Sequence, residues 1–216
     1  DPESQRLLQK ADAMGGYIKD RWGSRQSALD TLYYDPVGAI SDASMVTGTV
    51  GGALKMAGKV PALAGASVVI WTTTPWTLPA NQAVCLHRDF DYAFVQVGNE
   101  LLIVAEKLLE SVAKECKLDG YRVIGVKKGG EGFEGLETQR PLTTGLSPIL
   151  LGDFVTLEQG TGCVHIAPGH GMEDYILVLN HNASASAGEK LEILAPVDNG
   201  GRFTDVVKEF AGQHVF

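Results

Sequence analysis

Residues Trp71 to Asn81 read WTTTPWTLPAN, and this segment constrains the chain more than any other. The apolar run Ser67-Val68-Val69-Ile70-Trp71 has the β-branched content of a buried strand. It ends in three hydroxyls, Thr72, Thr73 and Thr74, and then in Pro75, which cannot continue a paired strand. An apolar anchor that delivers clustered hydroxyls to its own end is a place to hold a polar ligand. Threonine is also a good strand former, so β-propensity alone could account for the run.

The length of 216 residues allows one sizeable core, alone or with an appendage. Hydrophobic residues make up 44% and charged residues 20%, the balance of a globular chain. The formal net charge of -8 argues against an autonomous nucleic-acid binder, which needs Lys and Arg for phosphates. It leaves room for a domain that receives one end of a nucleic acid held elsewhere. Cys85, Cys116 and Cys163 are widely spaced, with no CxxC pair, and read as free thiols in a reducing compartment. No stretch of ~18 apolar residues runs uninterrupted by charge, and no signal peptide is evident. Together these features favour the cytoplasm, or an organelle if a leader has been removed, and no membrane partner is expected. Its start at Asp1-Pro2 suggests a piece of something longer.

Leu7, Leu8, Ala11, Met14, Tyr17 and Ile18 recur at helical spacing and predict a helix over residues 3 to 22. Residues 36 to 66 are rich in Gly, Ala and Ser, with a weakly amphipathic centre from Leu54 to Val60. From Ser67 the texture changes to short strands. Val68–Thr73, Ala83–His87, Tyr92–Val97, Leu101–Ala105, Tyr121–Lys127, Phe154–Leu157, Cys163–Ile166 and Leu191–Val197 are predicted strands. Gly98-Asn99 signals a hairpin between two of them. Helices are predicted over Glu106–Lys117 and from Gly171 to about Leu179, with a polar loop from Asn182 to Gly188. The sum is a β-rich α+β fold, barrel-like, over residues 66–216, behind a separate helical and small-residue segment 1–65.

A second chemical segment, GTGCVHIAPGHGMEDY, runs from Gly160 to Tyr175. A short strand delivers His165, and Glu173 and Asp174 then fall in the first turn of a helix. Carboxylates there also serve the helix dipole, and a strand histidine can be purely structural. Cys163, His165, His170 and Asp174 are zinc-ligand types, but no second Cys/His cluster completes a tetrahedral set, so no metal is expected. No GxSxG elbow is present, so hydrolysis here would use water rather than a covalent nucleophile.

With both segments quoted, the chain closely resembles the editing domain of isoleucyl-tRNA synthetases, the connective peptide 1 insertion in their Rossmann catalytic domain. Valyl and leucyl relatives carry arginine after the threonines, whereas here Pro75 follows Thr74 directly. Phe210 to Phe216 resembles the family's closing segment, and Leu150-Leu151-Gly152-Asp153 its start of a strand. The resemblance covers about residues 66 to 216 and not residues 1 to 65. It implies proofreading: hydrolysis, by water, of the ester of valine mischarged on tRNA(Ile), with isoleucine excluded by size. It implies Thr72 and Thr74 at the ester and terminal ribose, and Asp174 on the α-ammonium. Thr73, Trp76, Thr77 and Asn81 would line or support the pocket, and His165 would wall it against isoleucine. The implied partners are the 3′ end of tRNA(Ile) carrying valine and the remainder of the ATP-binding parent synthetase; no cofactor is implied. A module that binds aminoacyl or tRNA ends without turnover is the alternative. The chain contains no HIGH or KMSKS signature, so it should not activate isoleucine.

Overall fold

A computed structural model describes the backbone of residues 47–49 and residues 66–140, 145–208 and 210–215. The expected helix over residues 3 to 22 and the Leu54–Val60 segment lie outside them. Among the described residues, nine strands form two mixed sheets. They are β1 (Thr47–Thr49), β2 (Ala66–Val69), β3 (Ala83–Leu86), β4 (Asp91–Val97) and β5 (Glu100–Ala105), then β6 (Arg122–Lys128), β7 (Glu137–Gln139), β8 (Leu146–Leu151) and β9 (Val164–Ile166). The first sheet has the order β1-β2-β5-β4-β6, the second β7-β8-β3-β9. Two α-helices accompany them, α1 (Leu109–Glu115) and α2 (Met172–Ser184). This is the expected β-rich α+β architecture. Among the described residues no helix is long and apolar enough to cross a membrane.

Local chemistry explains most elements. The β4–β5 hairpin turns on Gly98-Asn99, with a positive φ of 58° at Gly98, as glycine permits. In α1, Leu109, Val112 and Ala113 recur on one face and are buried. Strand β2 is buried along its whole length, as suits a strand inside the sheet, paired parallel to β5 and antiparallel to β1.

The feature that builds the site is a crossing between the sheets. The C-terminal ends of the parallel pair β2 and β5 both meet the segment leading into β9. Trp71, just past β2, bridges to Val164, and its N–H donates to the Cys163 carbonyl at 3.3 Å. Ala105, the last residue of β5, donates its N–H to the Thr161 carbonyl at 2.8 Å. Tyr92, fully buried in β4, donates its phenol to the Gly162 carbonyl at 2.8 Å. The larger core is built by the first sheet, α1 and strands β3 and β8 of the second sheet, with Tyr92, Ile103, Phe133 and Ile149 inside it. A smaller core of Ala83, Cys85, Leu150, Val155 and Ile166 lies under α2, which contributes Val178.

Several predicted elements differ. Strand β2 ends at Val69 and Thr72–Thr74 are irregular, because Trp71 leaves the first sheet to meet β9. Pro75 does more than stop a strand. It opens a 3-10 helix, Pro75–Ala80, where its fixed φ and missing N–H suit the first turn. Phe154–Leu157 is not a strand; Phe154 and Val155 instead turn into the smaller core. Leu191–Val197 is likewise irregular apart from a single bridge between Val197 and Phe203. Helix α2 continues to Ser184, so Asn182, expected in a loop, is helical. Its amide clamps the backbone of Leu191 from both sides at 2.8 Å. Strands β7 and β8 go beyond the predicted strands.

Candidate active site

The two sequence segments meet through side chains. His165, in the middle of β9, stands opposite Val84 of β3 and is 6% exposed. Both ring nitrogens are engaged. Nε2 lies 3.0 Å from the Thr77 hydroxyl and Nδ1 lies 2.6 Å from the Asn81 amide nitrogen. The Thr77 hydroxyl also donates to the Thr74 carbonyl at 2.8 Å. A hydroxyl has one proton, so Thr77 accepts from His165 Nε2–H, and Nδ1 is the bare nitrogen that accepts from Asn81. The ring is therefore held as one neutral tautomer. Burial drives its pKa from 6.5 down to about 4, with the Thr77 contact opposing the fall and the nearby His170 adding to it.

The threonine run forms the outer part of the cluster. Thr73 and Thr74 are exposed and Thr72 is half-buried. The Thr72 hydroxyl accepts from the Thr74 N–H at 3.1 Å and lies 3.4 Å from the Thr74 hydroxyl. Such hydroxyls present donors and acceptors to solvent on a backbone pinned by the Trp71 bridge. Trp76, half-buried, stands edge-on to His170 at 5.1 Å. Thr77 and Asn81 are buried behind His165 and serve its ring.

Asp174 approaches from the other side. It lies in the first turn of α2, and its Oδ2 accepts from the Ala167 N–H at 2.7 Å, two residues beyond His165. Its carboxyl sits over Gly171, where a Cβ would lie 3.0 Å from Asp174 Cγ. Burial raises its pKa, the Ala167 N–H opposes that rise, and Glu173 adds to it. A half-buried anion of this kind gains from a cationic partner. Glu173 is itself exposed.

Three residues behind the site carry no signal in the sequence. Ser147, buried in β8, donates its hydroxyl to Asn81 Oδ1 at 2.6 Å. Arg140 donates from Nε to Ser147 Oγ and from Nη2 to Gln82 Oε1, each at 3.2 Å. Nothing local marks Arg140, Ser147 or Gln82, because they reach the site through the β8–β3 pairing. The zinc-ligand types do not converge either. Cys163 is core, at 1% exposure, and its thiol pKa is raised by burial. Among the described residues no group of three His, Cys, Asp or Glu side chains could hold a metal.

No protein-family model matches the chain. The isoleucine--tRNA ligase of Petrotoga mobilis is 46% identical over 149 residues, covering 69% of this chain and 15% of that enzyme. The isoleucine--tRNA ligase of Nitratidesulfovibrio vulgaris is 49% identical over 153 residues, covering 71% of this chain and 15% of the enzyme. Among solved structures, GlLeuRS-CP1 matches with a TM-score of 0.50 at 16% identity, over 59% of this chain and 51% of that one, which is a likeness of fold alone. The chain thus spans about 15% of the length of the curated relatives it matches. On its sequence match to these ligases, this chain belongs to the isoleucyl-tRNA synthetase family.

Proposed function

We propose that the chain is the post-transfer proofreading domain of a cytoplasmic isoleucyl-tRNA synthetase, hydrolysing valyl-tRNA(Ile) with water. The observation that carries this reading is the His165 ring, neutral and hydrogen-bonded at both nitrogens. A ring so engaged cannot take a proton from water without breaking its support, so it is poorly suited to be a general base. It is well suited to be a wall. A synthetic site that accepts isoleucine gains only ~1–3 kcal/mol against valine, isoleucyl-tRNA synthetase being the standard illustration of that limit. A second, smaller pocket reverses the comparison, since an immobile ring turns the extra methylene of isoleucine into a clash of roughly 1–3 kcal/mol.

The remaining groups fit an aminoacyl ester. Its free α-ammonium needs one anion, and Asp174 supplies it. The ester carbonyl, the terminal ribose and the attacking water need hydroxyl partners, and Thr72, Thr73 and Thr74 present them. Trp76 closes the side-chain pocket beside His170. We assign no protein general base: a threonine hydroxyl is too weak, and Asp174 is committed to the ammonium. The vicinal ribose hydroxyl of the substrate is the group left to activate water.

Deacylation assays test the reading directly. Asp174→Ala should lower the rate on valyl-tRNA(Ile) by roughly 100-fold, as loss of a half-buried ionic partner implies. A retained rate overturns the role of Asp174. His165→Ala should begin to hydrolyse isoleucyl-tRNA(Ile), and continued sparing of that ester overturns the steric role. A wild-type chain that binds a non-hydrolysable valyl-adenosine analogue but turns over no ester would be a binding module instead.

A further inference from the structure

The hydrogen bonds behind His165 have a single direction. Arg140 Nε–H is shared between the Leu146 carbonyl at 3.0 Å and Ser147 Oγ at 3.2 Å, and the Ser147 hydroxyl donates to Asn81 Oδ1. One Asn81 amide proton goes to the Ala83 carbonyl at 3.1 Å and the other to His165 Nδ1. His165 Nε2–H then donates to Thr77, which donates to the Thr74 carbonyl. Each member accepts from the one before, so turning any one around leaves a buried donor facing a donor. An amide reads the same in shape when flipped. What distinguishes its two ends here is that Ser147 offers a proton and Ala83 offers a carbonyl.

We propose that Ser147, oriented by Arg140, is a positioning residue for the size sieve: it fixes the Asn81 amide and, through it, the tautomer and tilt of the His165 ring. Ser147 does not touch substrate. It acts two hydrogen bonds away from the His165 ring, at a position of β8 outside the recognised segments. The proposal rests on the reading of His165 as the pocket wall. Without the Ser147 hydroxyl, Asn81 Oδ1 loses its buried donor and only the Ala83 carbonyl still orders the amide, so the Asn81 orientation, and with it the Nε2–H form of the ring, is less strongly enforced. Arg140 extends the same control, since its Nε–H leaves the Ser147 hydroxyl one good direction for its proton. Its Nη2 also holds the neighbouring Gln82.

The test reads ring and specificity separately on the 216-residue chain. In nitrogen-15 spectra, wild-type His165 should show a protonated Nε2 and a bare Nδ1 at neutral pH. Ser147→Ala should add a population with a protonated Nδ1. It should also raise hydrolysis of isoleucyl-tRNA(Ile) relative to valyl-tRNA(Ile) by roughly tenfold. Ser147→Thr, which keeps the hydroxyl, should restore both. A Ser147→Ala chain with the single wild-type ring signature and an unchanged ester ratio overturns the proposal. If Ser147→Ala does not fold, Arg140→Gln at the half-buried end of the relay decides by the same two readouts. If the wild-type chain hydrolyses neither ester, the hydrolase reading falls, and the ring spectra alone then decide the Ser147 assignment.

Discussion

His165 couples the site to the stability of the chain. Its folded pKa of about 4 lies below the ordinary 6.5, so the neutral ring stabilises the fold fully above pH 6.5. That contribution is lost as pH falls from 6.5 through 4 and amounts to about 3 kcal/mol when fully titrated. Asp174 acts in the opposite sense. Its pKa is raised, so its anion costs stability at neutral pH, and protonation relieves that cost in acid. The two are separated by substitution. Denaturant midpoints of wild type and His165→Gln, followed from about pH 7 to about pH 4, should converge in acid by most of that difference. Parallel curves would show that the ring titrates normally. The chemistry of individual residues was partly legible in the sequence. Hydroxyls, ring and carboxylate are visible as residue types in two short segments. That Thr77 spends its proton on Thr74, leaving it no hydroxyl donor to offer a ligand, depends on a 3-10 turn that the sequence announces only as Pro75.

At the scale of elements, legibility follows sequence distance. The β4–β5 hairpin and α1 are written in local signals, a Gly98-Asn99 turn and a three-four apolar spacing. The parallel pairing of β3 with β8 joins Val84 to Ile149 and has no local signature, so Ser147 stayed hidden with its strand. Residues 191–197 are apolar enough to read as a strand, yet they are held by the Asn182 clamp, by Gln82 Oε1 accepting from the Glu192 N–H, by Thr204 on the Pro196 carbonyl and by the Val197–Phe203 bridge. The approach to β9 is the tightest joint. Gly162 has a φ of 73°, and a methyl group there would overlap the Cβ of Ala105, while its carbonyl holds the Tyr92 phenol. Gly162→Ala should therefore cost roughly 2–4 kcal/mol, combining left-handed strain with overpacking. Gly188, where an added Cβ would meet nothing within 4 Å, is the matched control, and Gly188→Ala should be close to neutral. Equal melting temperatures for the two variants would mean that the β5–β9 joint yields without cost.

The whole molecule explains why both sequence segments are needed. The threonine run lies at the end of the first sheet, His165 and Asp174 belong to the second sheet and its helix, and the Trp71–Val164 bridge brings them together. The chain matches about 15% of the length of its relatives, so in our reading the rest of the synthetase carries the tRNA body and delivers its acylated end. Charge agrees with that division of labour. With a net charge of -8, long-range forces repel rather than collect a polyanion. Some cations are also matched locally, as in Lys128 with Asp91 and Arg88 with Glu134. The isolated chain should therefore bind tRNA(Ile) with a Kd no tighter than roughly 10 μM at physiological salt, weakening further as salt rises. Filter binding or fluorescence anisotropy across a salt series measures both. Submicromolar affinity at physiological salt would mean that a basic surface of this chain grips the tRNA itself, and the division of labour would fail. Weak binding by the free chain with efficient deacylation in the full synthetase would place recognition of the tRNA body outside this domain. The task we propose for it is then to measure the side chain at the end of the tRNA against the His165 ring.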